Sequence, residues 1–318
     1  MANPTPLDGL LLIDKPADMT SHDVVHHLRR ALGQKSIGHT GTLDPIATGL
    51  MIVVLGEATK LSDYLVMKDK SYRFTVRLGI TTDTLDRTGQ VLTETPFAVP
   101  DSKVRDVALG MSGEFEWPIP LFSAAKIDGK KLYEYGREGE AVELPRKVME
   151  FWDVQLEEQA GPMLQLSLKC SKGSFIRTWA AQLGEVLGVG GRIEELRRLS
   201  VGHFNVNEAL PLSQLMERGG PGGIPVAELG AAFIPMSDAL PELKSLMAGQ
   251  KEARLMANGQ IPRDLQNRLV FEQKQAFERG APVFVKVMSN EGSLLAILAA
   301  LPGQGLKIRR VFQNALQK

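Results

Sequence analysis

The stretch GHTGTLDPIATGL, residues 38–50, places an aspartate directly before a proline and leads into the apolar run MIVVLG. The ordinary interpretation is a helix start, with Asp44 as the N-cap and the proline in the first turn. That interpretation leaves Gly38, Gly41 and Gly49 unexplained, since glycines permit tight turns and close backbone approach. The proline also restricts Asp44 to extended geometry. We therefore expect a loop that presents one carboxylate rigidly, as a nucleophile or general base requires.

A carboxylate that stays ionised when a ligand excludes water needs a fixed cation nearby. The candidate is Arg177, because SFIRTWAAQLGEVLG (174–188) has helical spacing and places this arginine in the first turn. The alternating stretch MLQLSLKC (163–170) predicts a strand just before that helix. An ordinary surface arginine is the alternative that the residues alone leave open.

Two further segments have clear periodicity. SYRFTVRLG (71–79) alternates apolar and polar residues, which predicts a half-buried strand with Tyr72 on its inward face. TSHDVVHHLRRALG (20–33) has apolar residues at helical spacing and predicts an amphipathic helix capped by Thr20 or Ser21.

The stretch HDVVH (22–26) differs from the zinc-hydrolase pattern HExxH by an aspartate in place of the glutamate. No third ligand is evident in the sequence, so a metallohydrolase built on His22 and His26 is the weaker hypothesis, and we expect no metal. Neither GxGxxG nor GxxxxGK[ST] occurs, which argues against dinucleotide and P-loop enzymes. We therefore expect no cofactor.

Composition limits the class of protein. The chain has 318 residues, of which 43% are hydrophobic, and this predicts one large domain with a smaller one. Its single cysteine, Cys170, excludes an internal disulfide and favours a reducing compartment. The N-terminus lacks a secretory signal, and no apolar run approaches the roughly 20 residues of a membrane span. We expect a cytoplasmic protein.

Net charge gives no sign of a polyanionic partner, because 37 Lys and Arg balance 37 Asp and Glu. Three local clusters nevertheless mix cations with aromatic or apolar residues: KDKSYRFTVR (68–77), KIDGKKLYEYGR (126–137) and RIEELRR (192–198). Stacking combined with phosphate contact uses this combination. Each cluster alone is also consistent with a solvated surface.

The last third of the chain changes in character. From Met216 to Pro235 the sequence RGGPGGIP and isolated small residues predict a linker or a mobile edge. Beyond it, PVFVKVM, the turn SNEG and SLLAILAAL predict a β-hairpin, followed by KIRRVF as a short strand. Residues 240–318 are therefore expected to form a compact, mostly β module.

Several long stretches together closely resemble one family. These are DGLLLIDKPADMTSHDVV, GHTGTLDPIATGLMIVVLGEATKL, KSYRFTVRLGITTDTLDRTG, FSAAKIDGKKLYEYGREG, CSKGSFIRTWAAQLGEVLG and LRRLSVGHF. In order, they resemble the motifs of the TruB family, the bacterial tRNA pseudouridine-55 synthases, almost continuously over about residues 8–205. The tail resembles, more loosely, the small β-barrel RNA-binding PUA domain.

The resemblance implies an α+β pseudouridine synthase fold with a central mixed or antiparallel sheet flanked by helices, plus a PUA-like β-barrel. It implies a catalytic domain over 1–238, with an RNA-gripping insertion at about 119–146, and a second domain over 239–318. The implied catalytic residues are Asp44, Tyr72 and Arg177, and the implied RNA-binding residues are His39, Phe175, Leu196, Lys126, Lys130 and Arg137.

The implied activity is isomerisation of uridine at position 55, in the T-arm loop of tRNA, by base flipping and covalent catalysis. Phe175 stands where the family usually has a tyrosine, and Trp117 and Gln182 are further departures, which put fine substrate contacts in doubt rather than the reaction. Two alternatives remain: a non-catalytic RNA-binding or tRNA-folding protein on this fold, and a synthase with another RNA target. We expect a monomer that binds tRNA and does not associate with a membrane.

Overall fold

The computed structural model describes residues 6–219 and 223–313 of the chain. Its strands, in chain order, are β1 (Gly9–Lys15), β2 (Ile37–His39), β3 (Thr48–Leu55), β4 (Lys70–Leu78), β5 (Ile80–Thr82), β6 (Val91–Glu94), β7 (Gly113–Pro118), β8 (Lys126–Ile127), β9 (Lys130–Lys131), β10 (Arg146–Ala160), β11 (Met163–Cys170), β12 (Gly191–Val201), β13 (Phe204–Asn205), β14 (Leu210–Pro211), β15 (Phe233–Pro235), β16 (Lys244–Ala248), β17 (Val283–Ser289), β18 (Leu294–Leu301) and β19 (Gly305–Val311).

Helices alternate with these strands. They are α1 (Ser21–Ala31), α2 (Ser62–Leu65), α3 (Asp101–Gly110), α4 (Leu132–Glu138), α5 (Ile176–Val186), α6 (Leu212–Arg218), α7 (Val226–Leu229), α8 (Gln250–Ala257), α9 (Arg263–Arg268) and α10 (Val270–Arg279). Within the described parts of the chain, no helix combines the length and apolar character needed to cross a bilayer.

One large mixed sheet organises the molecule. Its main path runs β14-β1-β3-β12-β4-β11-β10-β7, with β2, β13 and β15 pairing at the side with β3, β12 and β1. The pairs β1/β14 and β3/β12 are parallel and the other pairs are antiparallel. The prediction of an α+β architecture around a central mixed sheet is confirmed.

Strands β1 and β3 form the centre of the hydrophobic core. Their sequences GLLLIDK and TGLMIVVL are almost continuously apolar, as expected for strands covered on both faces. The alternating β4 instead buries Tyr72, Phe74, Val76 and Leu78 and leaves Arg73 and Arg77 exposed, which confirms the period-two prediction.

The predicted amphipathic helix and the predicted strand–helix unit are also confirmed. Helix α1 begins after Thr20, whose hydroxyl accepts from the backbone N–H of Asp23 while the Asp23 carboxylate accepts from the Thr20 backbone. Strand β11 covers the predicted residues, and α5 places Arg177 in its first turn.

The prediction of a linker between Met216 and Pro235 is wrong for most of its length. Residues 220–222 of the glycine-rich stretch lie outside the described residues, but Ile224, Leu229 and Ala232 are buried in the main core. Strand β15 pairs antiparallel with β1. Composition misled here because a few buried apolar residues between glycines and prolines anchor the segment to the sheet.

The C-terminal region contains more helix than expected. Strands β16, β17, β18 and β19 form a separate sheet in that order, and the predicted hairpin is β17–β18. Because β16 and β17 are parallel, they need a long crossover, which α8, α9 and α10 supply. The expectation of a mostly β module is therefore wrong.

No closed barrel is formed by the strand pairings of the described residues, since β16 and β19 are both edges. The helical crossover fills the core on one face of this sheet with Met256 of α8, Leu265 of α9 and Leu269 at the junction of α9 and α10. Helices thus cover the face that barrel closure would otherwise bury.

The other face of the small sheet joins the main core. Met288, Leu294, Ile297 and Phe312 belong to the same buried cluster as the central strands. The rings of Tyr64 and Phe284 meet edge to face with centroids 5.3 Å apart. Polar contacts add to this joint, since Arg310 Nη2 lies 2.7 Å from Asp63 Oδ2 and Lys60 Nζ donates to the Val311 carbonyl at 2.9 Å.

The start of β12 packs unusually closely on α5, the helix that carries Arg177. A Cβ atom added to the buried Gly184 would lie 2.1 Å from the carbonyl carbon of Gly190 and 2.2 Å from the amide nitrogen of Gly191. Only glycine permits this approach of backbone to backbone.

We expect Gly184→Ala to lower the free energy of unfolding by about 2–3 kcal/mol, because backbone atoms cannot move aside as a flexible side chain can. The matched control is Gly110→Ala in α3, where an added Cβ would meet no atom within 4 Å. That variant should be neutral or more stable by up to about 1 kcal/mol. Urea unfolding measures both, and equal stability of the two variants would contradict the packing described.

Candidate active site

The loop between β2 and β3 carries Asp44. The Ala47 amide donates to the Asp44 carbonyl at 3.0 Å, so residues 44–47 form a turn with the proline at its second position. No helix begins here, which removes the N-cap interpretation of Asp44. The carboxylate is 32% exposed and is therefore accessible from outside.

Two glycines make the path of this loop possible. Gly41 has φ of 106° and Gly49 has φ of 99°, values that disfavour any side chain. At Gly49 an added Cβ would also lie 2.2 Å from the carbonyl oxygen of Arg198. The β3 backbone is thus pressed against β12 directly after the loop.

Arg177 holds the Asp44 carboxylate with two parallel bonds. Its Nε donates to Oδ2 at 2.8 Å and its Nη2 donates to Oδ1 at 3.1 Å. The arginine side chain is only 4% exposed. Bidentate pairing with a buried guanidinium fixes the orientation of the carboxylate.

The same guanidinium also bonds to two carbonyls from other segments. Nη1 donates to the Thr84 carbonyl at 2.8 Å, and Nη2 donates to the Phe122 carbonyl at 2.9 Å. Thr84 follows β5 and Phe122 belongs to the segment before β8. One side chain of α5 therefore joins three separate loops.

Asp86 is a second carboxylate near Arg177, with its Oδ2 4.0 Å from Nε. It is buried and accepts bonds from Thr84 Oγ1 at 2.8 Å and from the Thr88 amide and hydroxyl at 3.0 and 2.6 Å. Sequence reasoning did not single it out. The run of threonines around it was a usable signal, because short hydroxyl side chains commonly satisfy a buried carboxylate.

Tyr72 faces inward from β4, as the strand periodicity predicted. Burial raises the pKa of its phenol to about 12, and the positive charge of Arg198 opposes this rise. The group is therefore a neutral phenol at physiological pH.

His39 ends β2, directly before the loop. Burial, and then the charges of Arg198 and His22, lower the pKa of its imidazole. Its Nδ1 is buried and has no hydrogen-bond partner among the described residues. The ring is neutral near pH 7 and can accept or donate a new hydrogen bond.

The two apolar residues implied by the resemblance occupy different positions. Phe175 is half-buried at the N-cap of α5, two residues before Arg177. Leu196 is buried in the main core, on β12 opposite Phe74 of β4. No contact between Leu196 and Asp44 is found within the described part of the chain.

The three implied RNA-binding cations lie in the segment of β8, β9 and α4. Lys126 is exposed, Lys130 bonds to the carboxylates of Glu138 and Glu140, and Arg137 lies over the Tyr133 ring at 5.2 Å. Among the described residues, this part of the chain bonds to Arg177 through the Phe122 carbonyl, just before β8. No hydrogen bond or ion pair of the described residues joins the three cations to the Asp44 carboxylate.

Lys15 is a further group that sequence reasoning missed. It is 1% exposed, and its ammonium donates to the carbonyls of Pro16, Met19 and Pro45 at 2.8, 2.6 and 3.2 Å. Burial lowers its pKa to about 8, against which the charge of Asp44 acts. A single lysine after the apolar run of β1 gives no sequence signal of such burial.

Within residues 6–219 and 223–313, no three His, Cys, Asp or Glu side chains group closely enough to hold a metal ion. A carboxylate that is oriented by two bonds from Arg177 and remains about one-third exposed suits nucleophilic or general-base catalysis.

Comparison with known proteins gives one consistent result. A family profile described as TruB family pseudouridylate synthase (N terminal domain) matches residues 29–176. A second, described as tRNA pseudouridylate synthase B C-terminal domain, matches residues 177–220.

Curated relatives match nearly the whole chain. A tRNA pseudouridine synthase B of Bdellovibrio bacteriovorus is 42% identical over 318 residues, covering 98% of this chain and 99% of the relative. One of Syntrophobacter fumaroxidans is 39% identical over 309 residues, covering 96% and 97%. A chain in the crystal structure of a Cbf5-Nop10-Gar1 complex has the same fold, with 22% identity, a TM-score of 0.68, and 98% and 87% of the two chains covered.

The lowered pKa of His39 makes stability depend on pH. The His39 imidazole gains its proton near pH 6.5 in the unfolded chain but only at a lower pH in the folded protein. His39 should therefore lower the free energy of unfolding as the pH falls below 6.5. We expect His39→Gln to show a shallower loss than the wild type between pH 7 and 5 in urea unfolding. The exposed His26→Gln should keep the wild-type slope, and a shallower slope in both variants would contradict the assignment.

Proposed function

The chain belongs to the TruB family of pseudouridylate synthases, and we propose that its site isomerises the uridine at position 55, in the T-arm loop of tRNA. As a tRNA pseudouridine synthase it is an isomerase. The assignment of the site rests on the ion pair between Asp44 and Arg177, which contains two parallel hydrogen bonds.

The target base must leave its stack before the enzyme can reach it. The glycosidic bond of a stacked uridine is not accessible, and extruding the base costs a few kcal/mol, which pocket stacking and backbone contacts offset. Tyr72 and Phe175 supply aromatic faces for the flipped base. The neutral His39 lies beside the loop and fills or holds open the gap that the base leaves.

Asp44 then acts covalently, either at C1′ of the ribose or at C6 of the uracil. The N1–C1′ bond breaks, the base rotates, and a C5–C1′ bond forms. The bond between Asp44 and the nucleotide breaks as well, with its electron pair returning to the carboxylate, so that Asp44 is regenerated. The proton on C5 is lost and N1 gains one, so reactant and product have the same atoms and the same oxidation state. The reaction therefore requires no redox cofactor and no phosphate donor.

Proton transfer from C5 needs a base, for which Asp44 and Tyr72 are the candidates. Burial raises the pKa of Tyr72 to about 12, so its phenol is protonated near neutral pH and is better suited to donate a hydrogen bond. Asp44 is therefore the preferred acceptor.

RNA outside the pocket is held by the insertion at about 119–146 and by the C-terminal module. Lys126 is exposed and free for phosphate, whereas Lys130 must exchange Glu138 and Glu140 for phosphate oxygens. The module over 239–318 is assigned as a PUA-like RNA-binding domain following a catalytic domain over 1–238. The proposed protein is a cytoplasmic monomer.

Replacing Asp44 by asparagine keeps size and removes the nucleophile. We expect Asp44→Asn to abolish tritium release from tRNA labelled at C5 of uridine, while RNA binding stays within a few fold. Asp153→Asn is the matched control, because Asp153 is an exposed carboxylate on β10 paired with Lys169. Normal tritium release by Asp44→Asn would refute the proposed mechanism.

The position of the target is tested by a second substrate. A tRNA transcript in which uridine 55 is replaced by cytidine should release no tritium above background, because the remaining uridines are not presented by the T loop. Release equal to that of the unmodified transcript would mean that this synthase has a different target.

A further inference from the structure

Arg198 is a buried arginine to which the proposed mechanism assigns no part. It lies on β12, is 1% exposed, and directs its donors at main-chain carbonyls. Nε donates to Leu50 at 2.7 Å and Nη2 donates to Gly41 at 3.3 Å. A long cation enclosed among apolar strands is costly unless each donor has a partner.

The two carbonyls belong to opposite ends of the loop that carries Asp44. Gly41 lies three residues before the aspartate, and Leu50 lies on β3 just after the loop. The backbone of Arg198 also pairs with Gly49, which confines the same end of the loop from a second direction. One residue of β12 therefore fixes both the entry and the exit of the catalytic loop.

Arg198 also acts on Tyr72. The two residues are direct cross-strand partners in the β12/β4 pair. Burial raises the pKa of the phenol, and the nearby positive charge of Arg198 acts in the opposite direction. The guanidinium thus polarises the hydroxyl as a donor.

The charge of Arg198 has no counter-ion. Among the described residues, no carboxylate lies within ion-pair distance of its guanidinium, in contrast to Arg177. A second buried cation, Lys70, lies nearby, and burial followed by the charge of Arg198 lowers its pKa to about 8. The Lys70 ammonium bonds to the carbonyls of Val66 and Lys68, outside the Asp44 loop, so Arg198 is the buried cation that lies directly across from Tyr72.

We propose that Arg198 is a positioning residue for the isomerisation, which holds the Asp44 loop and the Tyr72 hydroxyl in register and places positive charge beneath the flipped base. The inference rests on the proposed function. It gives Arg198 a role in the step in which the uracil base takes on negative charge.

Both routes open to Asp44 create that negative charge. Attack at C1′ sends the electron pair of the N1–C1′ bond into the departing uracil, and attack at C6 sends the ring π electrons toward C5 and O4. Arg198 neither gains nor loses a proton in either route. A fixed positive charge in a site of low polarity stabilises such an anion without reorganisation.

The experiment compares Arg198→Met and Arg198→Lys with the wild type, by single-turnover tritium release and by binding of T-arm RNA. We expect Arg198→Met to lower the rate constant on the order of 10²-fold. Arg198→Lys should recover about tenfold of this loss, since an ammonium restores the charge but cannot span both carbonyls. RNA affinity should change far less than the rate constant.

Two further variants separate this role from a merely structural one. Lys70→Met removes a neighbouring buried cation whose bonds go to the carbonyls of Val66 and Lys68, outside the Asp44 loop, and should keep most of the rate. In a double-mutant cycle, Arg198→Lys combined with Tyr72→Phe should lower the rate constant by less than the product of the two separate fold losses. The reason is that Arg198 acts through the Tyr72 hydroxyl.

Each outcome is decisive. A folded Arg198→Met with the wild-type rate overturns the inference, as does a loss confined to RNA affinity or an equal loss in Lys70→Met. If Arg198→Met does not fold, the test rests on Arg198→Lys and on its double-mutant cycle with Tyr72→Phe. Fold losses in the rate constant that multiply fully in this cycle would contradict the role. A wild type that releases no tritium contradicts the proposed function instead.

Discussion

The ion pair between Asp44 and Arg177 is the constraint on which the site depends. The guanidinium is nearly enclosed, and its remaining donors bond to the carbonyls of Thr84 and Phe122. These bonds tie the carboxylate, the turn after β5, the segment before β8 and helix α5 to one another. A pair of this kind is costly to break, because the nearly enclosed guanidinium would lose the carboxylate that accepts two of its donors.

Around this pair the fold supplies rigidity from the backbone. Gly41 and Gly49 adopt conformations that other residues avoid, and β3 approaches β12 so closely that a side chain at Gly49 has no room. Gly184 does the same for the helix that carries Arg177. The loop that carries Asp44 is therefore short, glycine-rich and held at both ends, which reconciles a flexible-looking sequence with a fixed carboxylate.

Local sequence patterns predicted the helices and strands well, but they did not reveal packing between residues distant along the chain. The strand alternation placed Tyr72 inward, and helical spacing placed Arg177 in a first turn, because each depends on neighbours in sequence. Arg198 and Lys15 were missed, since their burial comes from strands and loops distant along the chain, whereas Asp86 had a local signal in the threonines beside it. The chain between Met216 and Pro235 was misread as a linker, and the helices between β16 and β17 were overlooked, for the same reason.

The central claim is that a nucleotide pulled from its stack meets a carboxylate that Arg177 keeps charged and oriented. It is tested most directly by a crystal structure of the wild-type protein with a T-arm stem-loop that carries the product pseudouridine. We expect the product base outside the loop stack, on the Tyr72 ring, with its C1′ within about 3.5 Å of an Asp44 oxygen that still accepts from Arg177. A base stacked in the loop, or Asp44 turned into solvent away from Arg177, would contradict it.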